Sequence, residues 1–190
     1  MKAADLLDFW FNGDPAVHRR DRWFKVDAAF DDRLRERFGL LAAAALDGAL
    51  DSWQETPEGA LALVIALDQI PRNIHRDSYQ AFQGDAHARR VARLAVERGD
   101  DKALTPVQRM FLYMPFLHSE DLADQDTSLA LFGTLSEVPE VGESAAYAAE
   151  RRDVIRRFGR YPQRNAALGR DNTPEEAAYL AAERAEEISG

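Results

Sequence analysis

The chain of 190 residues contains no cysteine. No disulfide framework can hold it together, no thiol can act as nucleophile, and no cysteine-ligated metal site can form. Lysine is nearly absent as well: Lys2, Lys25 and Lys102 are its only instances, so arginine carries the positive charge. The 24 basic residues are outnumbered by 33 acids, for a formal net charge of -9. That balance argues against general nucleic-acid binding. No apolar run approaches the roughly 18–20 residues that a membrane span needs. The N-terminal stretch MKAADLLDFWFNGD breaks its apolar run with acids and offers no small-residue cleavage site, unlike a signal peptide. These absences point to a cytoplasmic protein with neither nucleic acid nor membrane as partner. Nucleotide and nucleophile motifs are missing too: there is no GxGxxG, no P-loop, no GxSxG and no HExxH. No cofactor and no metal are therefore expected, a mixed set of His118, Glu120 and Asp121 being the weaker alternative.

What is present is helical. An apolar content of 46% suits a packed domain, and no low-complexity linker divides the chain, so one domain over residues 1–190 is expected. Thr56-Pro57, Thr105-Pro106 and Thr173-Pro174 share one start signal, a capping hydroxyl followed by a proline at the first helical position. Gln108 and Glu176 complete capping boxes at two of them. Gly99 and Gly159 stand where helices stop. Phe30, Leu34, Phe38, Leu41 and Ala45 form an apolar stripe at helical spacing; Ala88, Val91, Ala92 and Ala95 form a second, and Tyr147, Val154, Ile155 and Phe158 a third. The run Ala60–Leu67 is apolar all round and predicts a central helix, ending near Ile70 because Pro71 follows. The spacing predicts about eight helices, over 2–12, 28–47, 57–69, 79–98, 106–124, 127–136, 143–158 and 174–187, with Pro115 kinking or splitting one of them. The fold class is all-α, an antiparallel array of helical hairpins.

Two polar corners repeat one order of residues. Asp68-Gln69-Ile70-Pro71-Arg72-Asn73 is followed by Arg76, and Gly159-Arg160-Tyr161-Pro162-Gln163-Arg164-Asn165 is followed by Arg170. A guanidinium grips carboxylate or phosphate with two parallel hydrogen bonds, so two such corners can flank an anion-binding cleft. They can equally tie off helix ends and buried acids. A third segment, His118-Ser119-Glu120-Asp121, places a polar cluster directly after an apolar stretch broken by Pro115. The imidazole of His118 titrates near neutral pH and suits acid–base work, with Glu120 or Asp121 to orient it. Charge is also segregated. Eight acids and no base lie between Ser119 and Glu150, whereas Arg151–Arg170 holds seven arginines and one acid. Arg151 falls on the apolar stripe of its helix, where a cation needs an acid or a bound anion beside it.

The segments DLLDFWF (5–11), LALVIALDQIPRNIHRDS (61–78), FLYMPFLHSEDLADQ (111–125) and RFGRYPQRNAALGRDNTPEE (157–176), in this order, resemble the bacterial family called domain of unknown function 924. The resemblance implies a tetratricopeptide-like helical fold with a polar pocket and no established activity. It also marks departures: Leu117 stands where the family pattern often has an acid, and Arg151 and Gln163 stand where it often has histidines.

Three functions are in view. The leading one is binding of a small anionic molecule or a peptide carboxylate in an interhelical pocket. Arg72, Arg76, Arg151, Arg160, Arg164 and Arg170 would supply donors, Asn73 and Asn165 would fix the loops, and Asp68, Glu120 and Asp121 would orient the arginines. The second is an enzyme using His118 as general acid or base on an anionic substrate. The third is a protein–protein interaction scaffold. The sequence leaves the oligomeric state open.

Overall fold

The computed structural model describes residues 1–16 and 23–189. Among them there are eight helices and no strand. Helix α1 is Ala3–Phe11 and α2 is Ala28–Leu46; α3 spans 57–74; α4 is Asp85–Arg98, α5 Pro106–Leu117, α6 Leu122–Gly133, α7 Glu143–Phe158 and α8 Pro174–Ser189. Short 3-10 turns at Asp51–Glu55, Tyr79–Phe82, Asp100–Ala103 and Pro162–Arg164 join them. No described helix is long and apolar enough to cross a membrane.

The threonine caps form as their sequence dictates. The Thr56 hydroxyl accepts from the Gly59 N–H at 3.1 Å, and Thr105 and Gln108 close a reciprocal box, as do Thr173 and Glu176. Gly99 and Gly159 adopt φ of 77° and 68°, the left-handed geometry that ends a helix.

Helix α3 is the centre. Residues Ala60 through Leu67 expose essentially no surface, and α1, α2, α4 and α5 all pack against this helix. Around it the Phe30–Ala45 stripe of α2 and the alanine-rich stripe of α4 are buried, together with Trp10, Phe11, Trp23 and Phe111. Close aromatic packing, such as Trp23 edge-on to Phe111 at 4.8 Å between ring centres, fills the space between α1 and α5. A smaller apolar cluster of Val154, Ile155 and Tyr161, with Phe158 and Tyr179, joins α7 to α8. Tyr147, placed on the buried stripe of α7 by spacing, is instead half-exposed with the Arg151 guanidinium 4.9 Å from its ring centre.

Three boundaries differ from those the spacing predicts. The central helix does not end before Pro71. It widens into a π turn at Ile65–Gln69, where the Ile70 N–H reaches the Ile65 carbonyl, and then runs on to Ile74. Proline has no N–H for the carbonyl four residues earlier, and the wider turn accommodates that loss. The carbonyl in question, Leu67 O, lies against Gly84, where a Cβ would come within 2.2 Å of it. The segment expected as one helix over 79–98 is accordingly a 3-10 turn, then Gly84, then α4. The third change concerns 106–124 and 127–136. Helix α5 contains Pro115 but stops at Leu117, and α6 already starts at Leu122, because the Asp121 carboxylate accepts from the Ala123 N–H at 2.7 Å and caps it.

Candidate functional site

The polar residues converge where the π turn of α3, the end of α5, the start of α4 and the 3-10 turn Pro162–Arg164 meet. The π turn carries Asp68, whose carboxylate has no exposed surface. One helical turn on, Arg72 Nη1 lies 3.0 Å from Asp68 Oδ1 and donates to its backbone carbonyl at 2.7 Å. The same guanidinium donates through Nη2 to Asp85 Oδ2 at 2.9 Å. Asp85 is the first residue of α4, where the helix dipole also favours a negative charge. From the opposite side, His118, the C-cap of α5, sets Nδ1 2.8 and 3.0 Å from the two oxygens of Asp68. The Gln69 amide donates to Asp68 as well.

The end of α5 is held open for this by its neighbours. Gln125 of α6 donates to the carbonyls of Leu117 and Ser119, and the Tyr161 hydroxyl donates to Leu117 O at 2.6 Å. Burial pushes the Tyr161 hydroxyl up to about 12, so it remains a donor at every working pH. Ser119 is turned away, its hydroxyl donating to buried Asp124 at 2.7 Å, and Asp124 is further paired with Arg89 and Arg93.

Electrostatics in the cluster follow from burial. Burial alone would raise the Asp68 carboxyl. Arg72 opposes it most strongly, His118 and Gln69 add to that, and the acid is held well below the ordinary carboxylate range. His118 shifts the other way from a free imidazole's tendency to charge. Burial lowers its pKa, Arg72 and Arg164 lower it further, and Asp68 offsets only part. At neutral pH the pair is a carboxylate and a neutral imidazole.

Arg164 completes the cluster with one long hydrogen bond and two aromatic contacts. Its guanidinium lies 4.9 Å from the ring centre of Phe82 and 4.7 Å from that of Tyr161, and Nη1 is 3.5 Å from Asp85 Oδ2. Burial and the neighbouring Arg72 lower its pKa, an unusual direction for an arginine that sits beside acids.

The other residues expected at the site lie around this centre in separate groups. Asn73 and Arg76 both grip Asp31 of α2, at 2.8 Å and 2.7 Å, and clamp α3 to α2. Arg170 forms a two-pronged pair with Glu120 at 2.7 and 3.0 Å, and the Tyr161 N–H donates to the same carboxylate at 2.8 Å. Burial raises the Glu120 carboxyl, and these donors more than reverse it. Asn165 accepts from Arg170 Nε at 2.9 Å and donates to Asn172. Arg160 holds Glu176 with two bonds, 2.6 and 2.8 Å, which hold that acid down at about 2 and fasten the start of α8. Asp121 caps α6, and Arg151 Nη2 stands 3.7 Å from Glu183 of α8. Gln163 donates to the same Glu183 at 2.6 Å. Asp85, Phe82 and Gln69 are central and were not singled out by spacing; an acid opening a helix after a glycine reads as ordinary capping, and nothing in the sequence joins it to Arg72. Among the described residues no group of three or more histidines and acids is arranged to hold a metal ion.

Comparison with known proteins now bears on this arrangement. Residues 6–184 match the family described as "Bacterial protein of unknown function (DUF924)". The chain belongs to this family. Among solved structures, a protein of unknown function from Agrobacterium tumefaciens, ATU0120, is 42% identical and superposes with a TM-score of 0.85, over 94% of this chain and 96% of that one. A search among curated proteins finds no match. Membership in the DUF924 family thus carries the helical fold over nearly the whole chain, and no reaction or ligand comes with it.

Proposed function

We propose that the protein binds a small anion, a carboxylate or phosphate group carried by a metabolite or a peptide end, at the guanidinium of Arg164. One observation carries the reading. Arg72, Arg160 and Arg170 each make at least two hydrogen bonds of 3.0 Å or less, whereas Arg164 makes a single hydrogen bond, at 3.5 Å. Its side chain retains only 14% exposure, so the donors are poorly hydrated as well as poorly paired. The rings of Phe82 and Tyr161 lie 4.9 and 4.7 Å from its guanidinium carbon, contacts that use none of its N–H edge in conventional hydrogen bonds. A planar or tetrahedral oxyanion matches that edge with two parallel hydrogen bonds. Arg72, Asp68 and Asp85 would set the floor of the site, and Glu120 with Arg170 its rim. Placement in the cytoplasm and a tetratricopeptide-like stacking of the helices belong to the same proposal.

Titration calorimetry and thermal shift with succinate and with inorganic phosphate test it. At a hundred times its dissociation constant a ligand stabilises by about 2.7 kcal/mol, a shift that is easily read. The shift should vanish in Arg164→Gln and survive in Arg160→Gln. A shift that Arg164→Gln leaves intact, or no response to either anion, overturns the assignment.

A further inference from the structure

The two edges of the His118 ring have different surroundings. The Nδ1 edge is closed by Asp68, an ionised acid with no exposed surface, at 2.8 and 3.0 Å. An ionised carboxylate only accepts hydrogen bonds, so Nδ1 carries the proton and Nε2 presents a lone pair. No described residue donates to Nε2, and the side chain keeps 21% exposure. Arg72 and Gln69 fix Asp68 in turn, so neither the orientation nor the tautomer of the ring is left to chance. The ring is neutral for the reasons given above, and a neutral imidazole with an outward lone pair is the form that accepts a proton.

The candidates for that proton are few. Ser119, next in sequence, is buried and committed to Asp124. The chain has no cysteine. Water is the nucleophile that we take a base at this position to activate.

Building on anion binding at Arg164, we propose that His118 is the general base of a hydrolytic site: Nε2 takes a proton from a water molecule attacking a carboxylate-bearing substrate that Arg164 holds, with Asp68 as the positioning residue. In the step the water oxygen bonds to the acyl carbon, its proton passes to Nε2, and the leaving group departs with the electron pair of the broken bond. The imidazolium so formed is stabilised by Asp68 and returns its proton to the leaving group or to solvent.

Mono-4-nitrophenyl succinate is a suitable probe, because it carries the carboxylate and reports on cleavage by its coloured product. His118→Asn is the informative variant: its amide can still donate to Asp68 in place of Nδ1 while Nε2 is gone. The wild-type protein should release nitrophenolate at least about a hundred times faster than His118→Asn, within the range general bases supply. Its rate should rise with pH through a midpoint below 6.5. Nitrogen-15 NMR of the wild-type protein should place the His118 proton on Nδ1, a readout that needs no variant to fold. Equal rates for the two proteins, or a proton on Nε2, overturns the proposal. Succinate binding without His118-dependent hydrolysis removes the base and leaves the anion site. Hydrolysis that needs His118 but runs equally on 4-nitrophenyl acetate and in Arg164→Gln supports the base and removes the anion site.

Discussion

The corners 68–76 and 159–170 repeat an order of residues, proline, then Arg-Asn, then a second arginine, and the chain uses that order in two ways. At the first corner the helix continues through Pro71, so Arg72 emerges one turn after Asp68 and pairs with it. Asn73 and Arg76 then reach Asp31 on α2. At the second corner the helix has already ended at Gly159, and the residue four before Arg164 is Arg160 rather than an acid. Arg160 turns to Glu176 and Arg170 to Glu120, and Arg164 is left with aromatic rings and one long contact. The first corner is a lock in which Arg72, Asn73 and Arg76 are each bound to an acid. The second is built from the same residue types and leaves one cation underused. Local backbone geometry, and the residue four positions upstream, decide which arginine is tied into the fold and which is left with one long hydrogen bond.

Stability measurements can break this comparison outright. Arg72→Ala strips a fully buried Asp68 of its main counter-charge, and breaking a buried pair in that way costs about 3–5 kcal/mol. Arg164→Ala removes packing on Phe82 and Tyr161 and one weak contact, so its loss should stay near ~1 kcal/mol. Urea denaturation of both variants at neutral pH compares them directly. Equal losses would show that Arg164 is as deeply committed to the fold as Arg72, and the asymmetry between the corners would be gone.

A second comparison concerns how each corner turns its backbone. Gly84 sits where a Cβ would approach Leu67 O, the carbonyl that Pro71 leaves unanswered, at 2.2 Å. Both atoms there are backbone or bound to it, so Gly84→Ala must push α4 away from α3 and should cost about 1–3 kcal/mol. Because Asp85 is the next residue, the same push should loosen its contact with Arg72. At the second corner Gly159 has open space around its Cα but φ of 68°, so Gly159→Ala meets only the left-handed penalty, about 1 kcal/mol. Thermal unfolding of the two variants ranks the effects, and a smaller loss at Gly84 than at Gly159 would reverse the account of the first corner.

Much of this arrangement was legible in the sequence, and what was not has identifiable causes. Threonine caps, glycine stops and the stripes of α2 and α4 are local signals and appear where their spacing puts them. The passage of α3 through Pro71 was hidden, because it depends on a π turn and on Gly84 thirteen residues further on, which no local rule connects. Asp121 looked like a site acid since it follows His118 and Glu120, yet its sequence position two before Ala123 makes it a cap. His118 was paired in sequence with Glu120 or Asp121, and the fold instead gives it Asp68, fifty positions away. Residue type could nominate His118, Asp68 and Arg164. Only tertiary packing could say which of them touch.

The smallest effect separates the corners by pH. The folded pKa of His118 lies below its ordinary value near 6.5, so the unfolded chain binds the extra proton first as the solution is acidified. Stability is fully present above about pH 6.5 and falls below it, towards the folded pKa. The carboxylates respond later. Asp68 at the first corner, and Glu120 and Glu176 at the second, have folded pKa values below their ordinary ones, so their contribution is intact above about pH 4.5 and is lost only as pH drops further. Between pH 6.5 and 5 the second corner should therefore be silent while the first weakens through His118. His87, whose pKa burial also lowers, adds a slope of its own in that window. The decisive quantity is thus the difference between wild type and His118→Asn in urea midpoint at pH 7.5 and at pH 5. The variant should lose less stability on acidification, because its amide keeps the contact with Asp68 and has no proton to gain. Identical slopes for the two proteins would mean that His118 is as free to charge in the folded protein as in the unfolded chain, and that burial and Arg72 do not hold it neutral.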